Sequence, residues 1–206
     1  MLITIFTLLI LLFSIVIHEV AHGSVALAQG DPTAKYAGRL TLNPLKHLDP
    51  IGSVILPLTL LIITMGQGPI FGWAKPVPVN PALFRDKKWG ELKVSIAGVV
   101  VNFLIAIIFG LIIRFIPLPE ILAVLFSIIC IYNILWGLFN LVPIPPLDGS
   151  HILFSFLPYQ FSRFKIALSQ YGFFILIAFI FLGGLRLLFY AANFFFVIIT
   201  GHTLVI

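Results

Sequence analysis

The sequence predicts an all-α polytopic membrane protein: a bundle of about four to six transmembrane helices with a re-entrant segment and a short surface strand or hairpin. Three observations carry this. Of the 206 residues, 61% are hydrophobic and only 9% charged, whereas a water-soluble domain has roughly 25% charged residues. Mean hydropathy is +1.17, and apolar runs long enough to cross a bilayer recur along the chain. The cations fall mainly in the gaps between those runs, as cytoplasmic loops require. The formal charge of +5 is therefore no nucleic-acid signal, because no basic run interleaves with polar residues. The length suits one integral-membrane domain over 1–206, with a core over about 1–155 and C-terminal helices over about 164–200.

The first element, Leu2 to Ala28, is a spanning helix. Its end, Ala26-Leu27-Ala28-Gln29, looks like a signal-peptidase site. However, no Lys or Arg precedes the run, and the run exceeds a signal h-region of about 7–15 residues. It also carries a His–Glu pair, so a retained helix is expected. Gly30-Asp31-Pro32 ends it, and the polar stretch Thr33–Asp49 follows. There Tyr36–Leu42, with Gly38 and Thr41, reads as the surface strand or hairpin. Pro50 to Met65 is apolar but short, and Pro57 breaks it. Both flanking loops are net positive, so a full span would leave one of them outside, whereas a re-entrant hairpin, the favoured reading, keeps both in the cytoplasm. Such a segment is tolerated where protein buries its backbone.

Leu92–Ile116 and Ile121–Leu141 are two further spans, joined by the Pro117-Leu118-Pro119 turn. Pro143, Pro145 and Pro146 then forbid a regular helix, and Asp148-Gly149 follows directly. Phe164 to Thr200 is apolar, interrupted by Gly183-Gly184 and Arg186, which gives one span plus a second, partial or complete. On this path the N-terminus lies outside the cell membrane. His18 to His22 and Asp148 then meet at similar depth, nearer the cytoplasmic side.

His18-Glu19-Val20-Ala21-His22 matches H-E-x-x-H. On a helix, positions i and i+4 share a face, so His18 and His22 can point at one metal. Glu19 is about 100° round on the same turn, where its carboxylate can take a proton from metal-bound water and pass it to a leaving amine. The motif could be accidental on a buried helix. The membrane setting argues otherwise, since an unpaired ionisable side chain in mid-bilayer costs roughly 2.5–3.5 kcal/mol even on the lenient scale. A divalent cation compensates all three groups. Catalytic zinc takes three protein ligands and keeps one position open, so one ligand remains to be found. Asp31 and Asp49 read as turn or cap residues, Asp86 and Glu91 lie among lysines, and Glu120 falls on the opposite side of the membrane. Asp148 follows a helix broken at membrane depth. It reads either as the third ligand or as a helix N-cap after the prolines, and chemistry alone leaves both open.

The motif at 18–22 together with Asn140-Leu141-Val142-Pro143-Ile144-Pro145-Pro146-Leu147-Asp148-Gly149 resembles the paired signature of the site-2 protease family of intramembrane metalloproteases. Phe71-Gly72-Trp73-Ala74-Lys75-Pro76-Val77-Pro78-Val79-Asn80-Pro81 and Ala97-Gly98-Val99-Val100-Val101-Asn102-Phe103 resemble stretches of its short prokaryotic branch. One departure is Val99, where a proline usually follows the Ala-Gly pair. The resemblance implies one zinc ion per chain held by His18, His22 and Asp148, with Glu19 as general base. The implied activity is hydrolysis of a peptide bond in or near a transmembrane segment of a membrane-protein substrate, within the lipid bilayer. A membrane metal carrier could use the same three ligands but would have no need of Glu19.

Asn102 and Asn140 lie in otherwise apolar helices. Each could position a substrate or stabilise an oxyanion, or simply bond between helices. His151 is either an outer-shell partner of the site or a surface histidine. His47 and His202 read as loop and terminal residues, Trp73, Trp89 and Trp136 as interface anchors or packing. Cys130, the single cysteine, reads as a buried inert thiol and rules out an intramolecular disulfide. The Gly72–Pro81 stretch is extended, because its prolines disfavour helix, and its backbone edge could pair with an extended substrate.

Overall fold

The computed structural model describes residues 2–63, 65 and 74–204. Its helices are α1 (Leu2–Ala28), α2 (Thr33–Tyr36), α3 (Leu56–Ile63), α4 (Gly90–Phe115), α5 (Glu120–Leu141), α6 (Asp148–Phe156), α7 (Ser162–Phe181) and α8 (Gly184–Thr200). The fold is all-α, and four stretches are long and apolar enough to cross a membrane: Ile3–Ala28, Gly90–Phe115, Glu120–Leu141 and Tyr159–Phe181. The protein is thus a multi-pass membrane protein. Large apolar side chains such as Ile5, Leu8, Leu104 and Ile108 remain exposed on the outer faces of α1 and α4, where lipid is their natural solvent.

α1 and α4 run antiparallel. Ser14, His18 and His22 recur every four residues along one face of α1, and Val94, Gly98 and Asn102 do so on α4. The pairing is reversed, since His22 reaches Val94 while Asn102 reaches both His18 and the Ser14 carbonyl. α5 packs on α4 through Gly137, which faces the Phe103 ring, and through Cys130, which lies against the Ala106 carbonyl. Small residues at such contacts let helix backbones approach in lipid, where packing rather than water exclusion drives association. Cys130 is buried in this core, as expected.

α8 completes the bundle. It runs antiparallel to α5: Phe189 lies by Ile131, Tyr132 and Leu135, and Phe196 lies by Val124 and Ser127. Arg114 at the end of α4 donates to the Ile198 carbonyl at 2.9 Å, tying the two C-terminal ends together. α7 by contrast meets α6 and the proline turn with its start and middle, and α8 with its end, where Phe179 lies against Gly184. Lys165 donates to the Phe154 and Leu157 carbonyls at the end of α6, and Gly172 abuts Pro145. Of the two C-terminal helices, α8 is therefore the one that lines α5.

The segment after Asp49 is a π-helical turn over Pro50–Ile55 followed by α3. Together they cover 14 residues (50–63), about 21 Å at 1.5 Å per residue, short of a hydrocarbon core of about 30 Å. Leu48 pairs with Ala74, and the Lys75 amide donates to the His47 carbonyl at 2.9 Å. The residues on either side of the segment, Leu48 and Ala74, thus lie together. The strand or hairpin expected over Tyr36–Leu42 does not form. Thr33–Tyr36 is a helical turn, and among the described residues the β pairing is this single bridge. Arg39 explains the change: its guanidinium turns inward to the Lys75 and Pro76 carbonyls, so this stretch braces a neighbour through a side chain rather than a ladder.

Candidate metal centre

The helical register of α1 places His18 and His22 on one face. Their Nε2 atoms are 3.0 Å apart, with the rings edge to face. Each ring is fixed from behind. His18 Nδ1 lies 2.7 Å from Asn102 Oδ1, and His22 Nδ1 lies 2.7 Å from the Val94 carbonyl oxygen. Both partners are acceptors, so each imidazole carries its proton on Nδ1 and presents a bare Nε2 lone pair forward. Asp148 Oδ2 lies 3.0 Å from His18 Nε2 and 3.3 Å from His22 Nε2. That oxygen is buried and has no hydrogen-bond donor.

With both rings neutral, three lone pairs thus face one another. Their donor atoms lie within 4.8 Å of one another. Such an arrangement is repulsive unless a cation sits among the three atoms, and two imidazoles with a carboxylate suit zinc. Gly98 makes the approach possible. A Cβ there would lie 2.6 Å from both His18 Cε1 and His22 Nε2, so no larger residue fits beneath the rings. Asp148 is delivered by the proline turn. α6 starts at Asp148 itself, and its N-cap residue is Leu147, with no side-chain cap bond. The aspartate does not cap its helix and is free to face α1. Gly149 allows α6 to start so close to α5, since a Cβ there would lie 2.2 Å from the Leu141 carbonyl oxygen.

Glu19 is half-buried, and its Oε2 accepts the Val77 amide at 2.8 Å. Val77 belongs to an extended strap over residues 74–80 that crosses the end of α1. The strap is held at further points: Lys75 N to His47 O, Arg39 to the Lys75 and Pro76 carbonyls, and Asn80 N to Asp31 Oδ2 at 2.6 Å. The amides of Lys75, Val77 and Asn80 are therefore engaged within the protein. An extended partner would have to find other groups on this segment. Trp73 and the residues from Phe71 lie outside the described residues.

The remaining sequence candidates separate. Asn102 is fully buried, and its carbonyl is committed to His18. Asn140 Nδ2 donates to the Trp136 carbonyl of its own helix at 3.1 Å, and no hydrogen bond among the described residues ties it to the cluster. His151 is exposed, His202 is exposed near the end of the chain, and His47 is a loop residue but fully buried, with Nε2 on the Thr41 carbonyl. Asn133 was not singled out from the sequence. It is 1% exposed and accepts the Asn102 amide at 2.9 Å. Its only signal is that of an amide in an apolar helix, two turns before Asn140 on the same face.

Residues 117–179 match the profile of Peptidase family M50. The chain is 42% identical over 172 residues to "Putative zinc metalloprotease YwhC" of Bacillus subtilis, an alignment covering 79% of this chain and 74% of that protein. It is 34% identical over 170 residues to "Putative zinc metalloprotease Rip2" of Mycolicibacterium smegmatis, covering 81% of this chain and 62% of the relative. It is 32% identical over 91 residues to "Zinc metalloprotease MJ0392" of Methanocaldococcus jannaschii, covering 43% of this chain and 27% of the relative. No solved structure matches at a significant level.

Proposed function

The chain belongs to peptidase family M50, the site-2 protease family of zinc metalloproteases, and from this premise we propose that it cleaves a peptide bond in or beside a substrate's transmembrane helix. The observation that carries the reading is the convergence of His18 Nε2, His22 Nε2 and the buried, unpartnered Asp148 Oδ2, with Glu19 following His18 on the same turn. These three residues would hold one zinc ion per chain. When bound, the ion polarises a carbonyl and makes water a nucleophile near neutral pH.

The chain's own residues do the rest. The Asn102 and Val94 carbonyls hold the two imidazoles in the tautomer that exposes Nε2. Asp148 brings the negative charge that two neutral rings lack. Glu19 takes a proton from the attacking water onto its carboxylate and hands it to the leaving amine. The Val77 amide pins Oε2 of that carboxylate, so its orientation is set before a substrate arrives. A helical substrate buries its carbonyls in its own hydrogen bonds, so it must unwind locally to enter. Eight of the twelve Lys and Arg lie between residues 35 and 93, at the end of α1 and α4 to which His22 and Val94 belong. By the positive-inside rule the site then sits nearer the cytoplasmic side of the cell membrane.

Glu19→Gln tests the reading. In purified full-length protein the variant keeps its zinc and loses proteolysis by about 10²–10⁴-fold, the usual worth of a general base. Loss of zinc with loss of activity, or full activity in the variant, would refute the assignment of Glu19.

A further inference from the structure

Behind His18, Asn102 is itself held by a second buried amide, that of Asn133, which the hydrolytic reading does not use. His18 Nδ1–H donates to Asn102 Oδ1 at 2.7 Å, and Asn102 Nδ2–H donates to Asn133 Oδ1 at 2.9 Å. Asn133 Nδ2–H in turn donates to the Ile129 carbonyl at 2.8 Å, one turn back on α5. Asn102 is 0% and Asn133 1% exposed. The relay is directional. Because Asn133 Nδ2 is spent on a backbone carbonyl, its Oδ1 must face Asn102. Asn102 must then turn its amide toward α5 and its carbonyl toward α1. A neutral histidine meeting that carbonyl has one tautomer available, with the proton on Nδ1. The amide of Asn133 on α5, with the longer contact from Asn102 Nδ2 to the Ser14 carbonyl at 3.4 Å, thus sets which His18 nitrogen is bare.

We propose that Asn102 and Asn133 are positioning residues that lock His18 as a zinc ligand, and that neither contacts substrate. The proposal rests on the assignment of His18 as a ligand given above. It differs from the reading of Asn102 as a substrate-positioning group, because its carbonyl is already occupied. Outer partners of metal-bound histidines typically change metal affinity 10–100-fold when lost.

The test uses full-length protein in detergent, with zinc affinity measured by chelator competition and the His18 tautomer read from imidazole ¹⁵N shifts. Asn102→Leu weakens zinc binding 10–100-fold and leaves the His18 ring in mixed tautomers. Asn133→Leu gives a smaller loss, about 3–10-fold, because Asn102 keeps its carbonyl on His18 but has only the longer contact to the Ser14 carbonyl, at 3.4 Å, to orient its amide. Asn102→Asp still accepts from Nδ1, although its second oxygen faces Asn133 Oδ1, so it keeps the single Nδ1–H tautomer of His18 that the Leu form loses. Thermal unfolding is followed in parallel, so that a variant that fails to fold is set aside in favour of the Asp form. Unchanged zinc affinity and an unchanged tautomer in folded Asn102→Leu would overturn the relay. If His18→Ala itself leaves zinc affinity intact, the ligand assignment fails instead, and the two failures are distinguishable.

Discussion

At the scale of single residues the site is governed by close approach. His18 and His22 stack against the bare backbone of Gly98, where a Cβ would stand 2.6 Å from ring atoms of both. Gly98→Ala therefore pushes the two imidazoles apart. Overpacking of this kind costs about 1–3 kcal/mol, and here the strain falls on the ligand geometry. The expected outcome is a clear drop in zinc affinity by chelator competition with the helical circular dichroism unchanged. Equal affinity in Gly98→Ala would mean that the rings are not held where we place them. This glycine was legible in the sequence only as part of a family-like stretch, since its partner lies 80 residues away in the chain. The i, i+4 spacing of His18 and His22 was legible because a helix fixes it locally. Asp148 could be narrowed down because the chain has only seven acidic residues. Asn133 could not, because its role depends on which way a buried amide points, and that is decided across α4 and α5.

At the scale of elements, the strap over 74–80 and the start of α6 each carry a testable consequence. Asp31 binds the strap through the Asn80 amide at 2.6 Å and accepts from the Thr33 amide and hydroxyl. Burial pushes the Asp31 carboxyl up, but those three donors outweigh it and hold it below the usual carboxylate range. A depressed value in the folded protein contributes stability above the unfolded value of about 3.9. That contribution is lost as the pH falls through the lowered folded value. Asp31→Asn should thus loosen the strap at neutral pH, seen as faster hydrogen exchange of the Asn80 amide. The difference from the unaltered protein should shrink as the solution is acidified below the ordinary carboxylate range. A difference that stays constant with pH would assign the effect to shape rather than charge. Gly149→Ala, whose Cβ would meet the Leu141 carbonyl at 2.2 Å, should tilt α6 and withdraw Asp148, with loss of zinc. These elements were only partly readable beforehand. Proline content marked both the strap and the turn before α6, whereas the expected strand over Tyr36–Leu42 gave way to a helical turn because Arg39 found carbonyls on the strap.

At the scale of the whole molecule, the antiparallel pairing of α1 with α4 brings His22 to Val94 and His18 to Asn102, and on the proposed reading the basic segments between residues 35 and 93 face the cytoplasm. The apolar runs were legible from composition, since every span must satisfy its backbone internally as a helix. The difference between α7 and α8 was not legible, because both are apolar and only packing on α5 separates them. Cys130 is buried, so single cysteines can be added without background labelling. Lys87→Cys should react with an impermeant maleimide only from the cytoplasmic side, and Pro117→Cys only from outside. The most direct test of the central claim is the position of the cut. Purified full-length protein is reconstituted with zinc in liposomes carrying a model single-span substrate, and the products are mapped by mass spectrometry. Cleavage within or next to the substrate's transmembrane stretch, abolished by chelation and by Glu19→Gln, is the predicted result. Cuts confined to the water-exposed parts of the substrate, or cuts that persist without zinc, would contradict it.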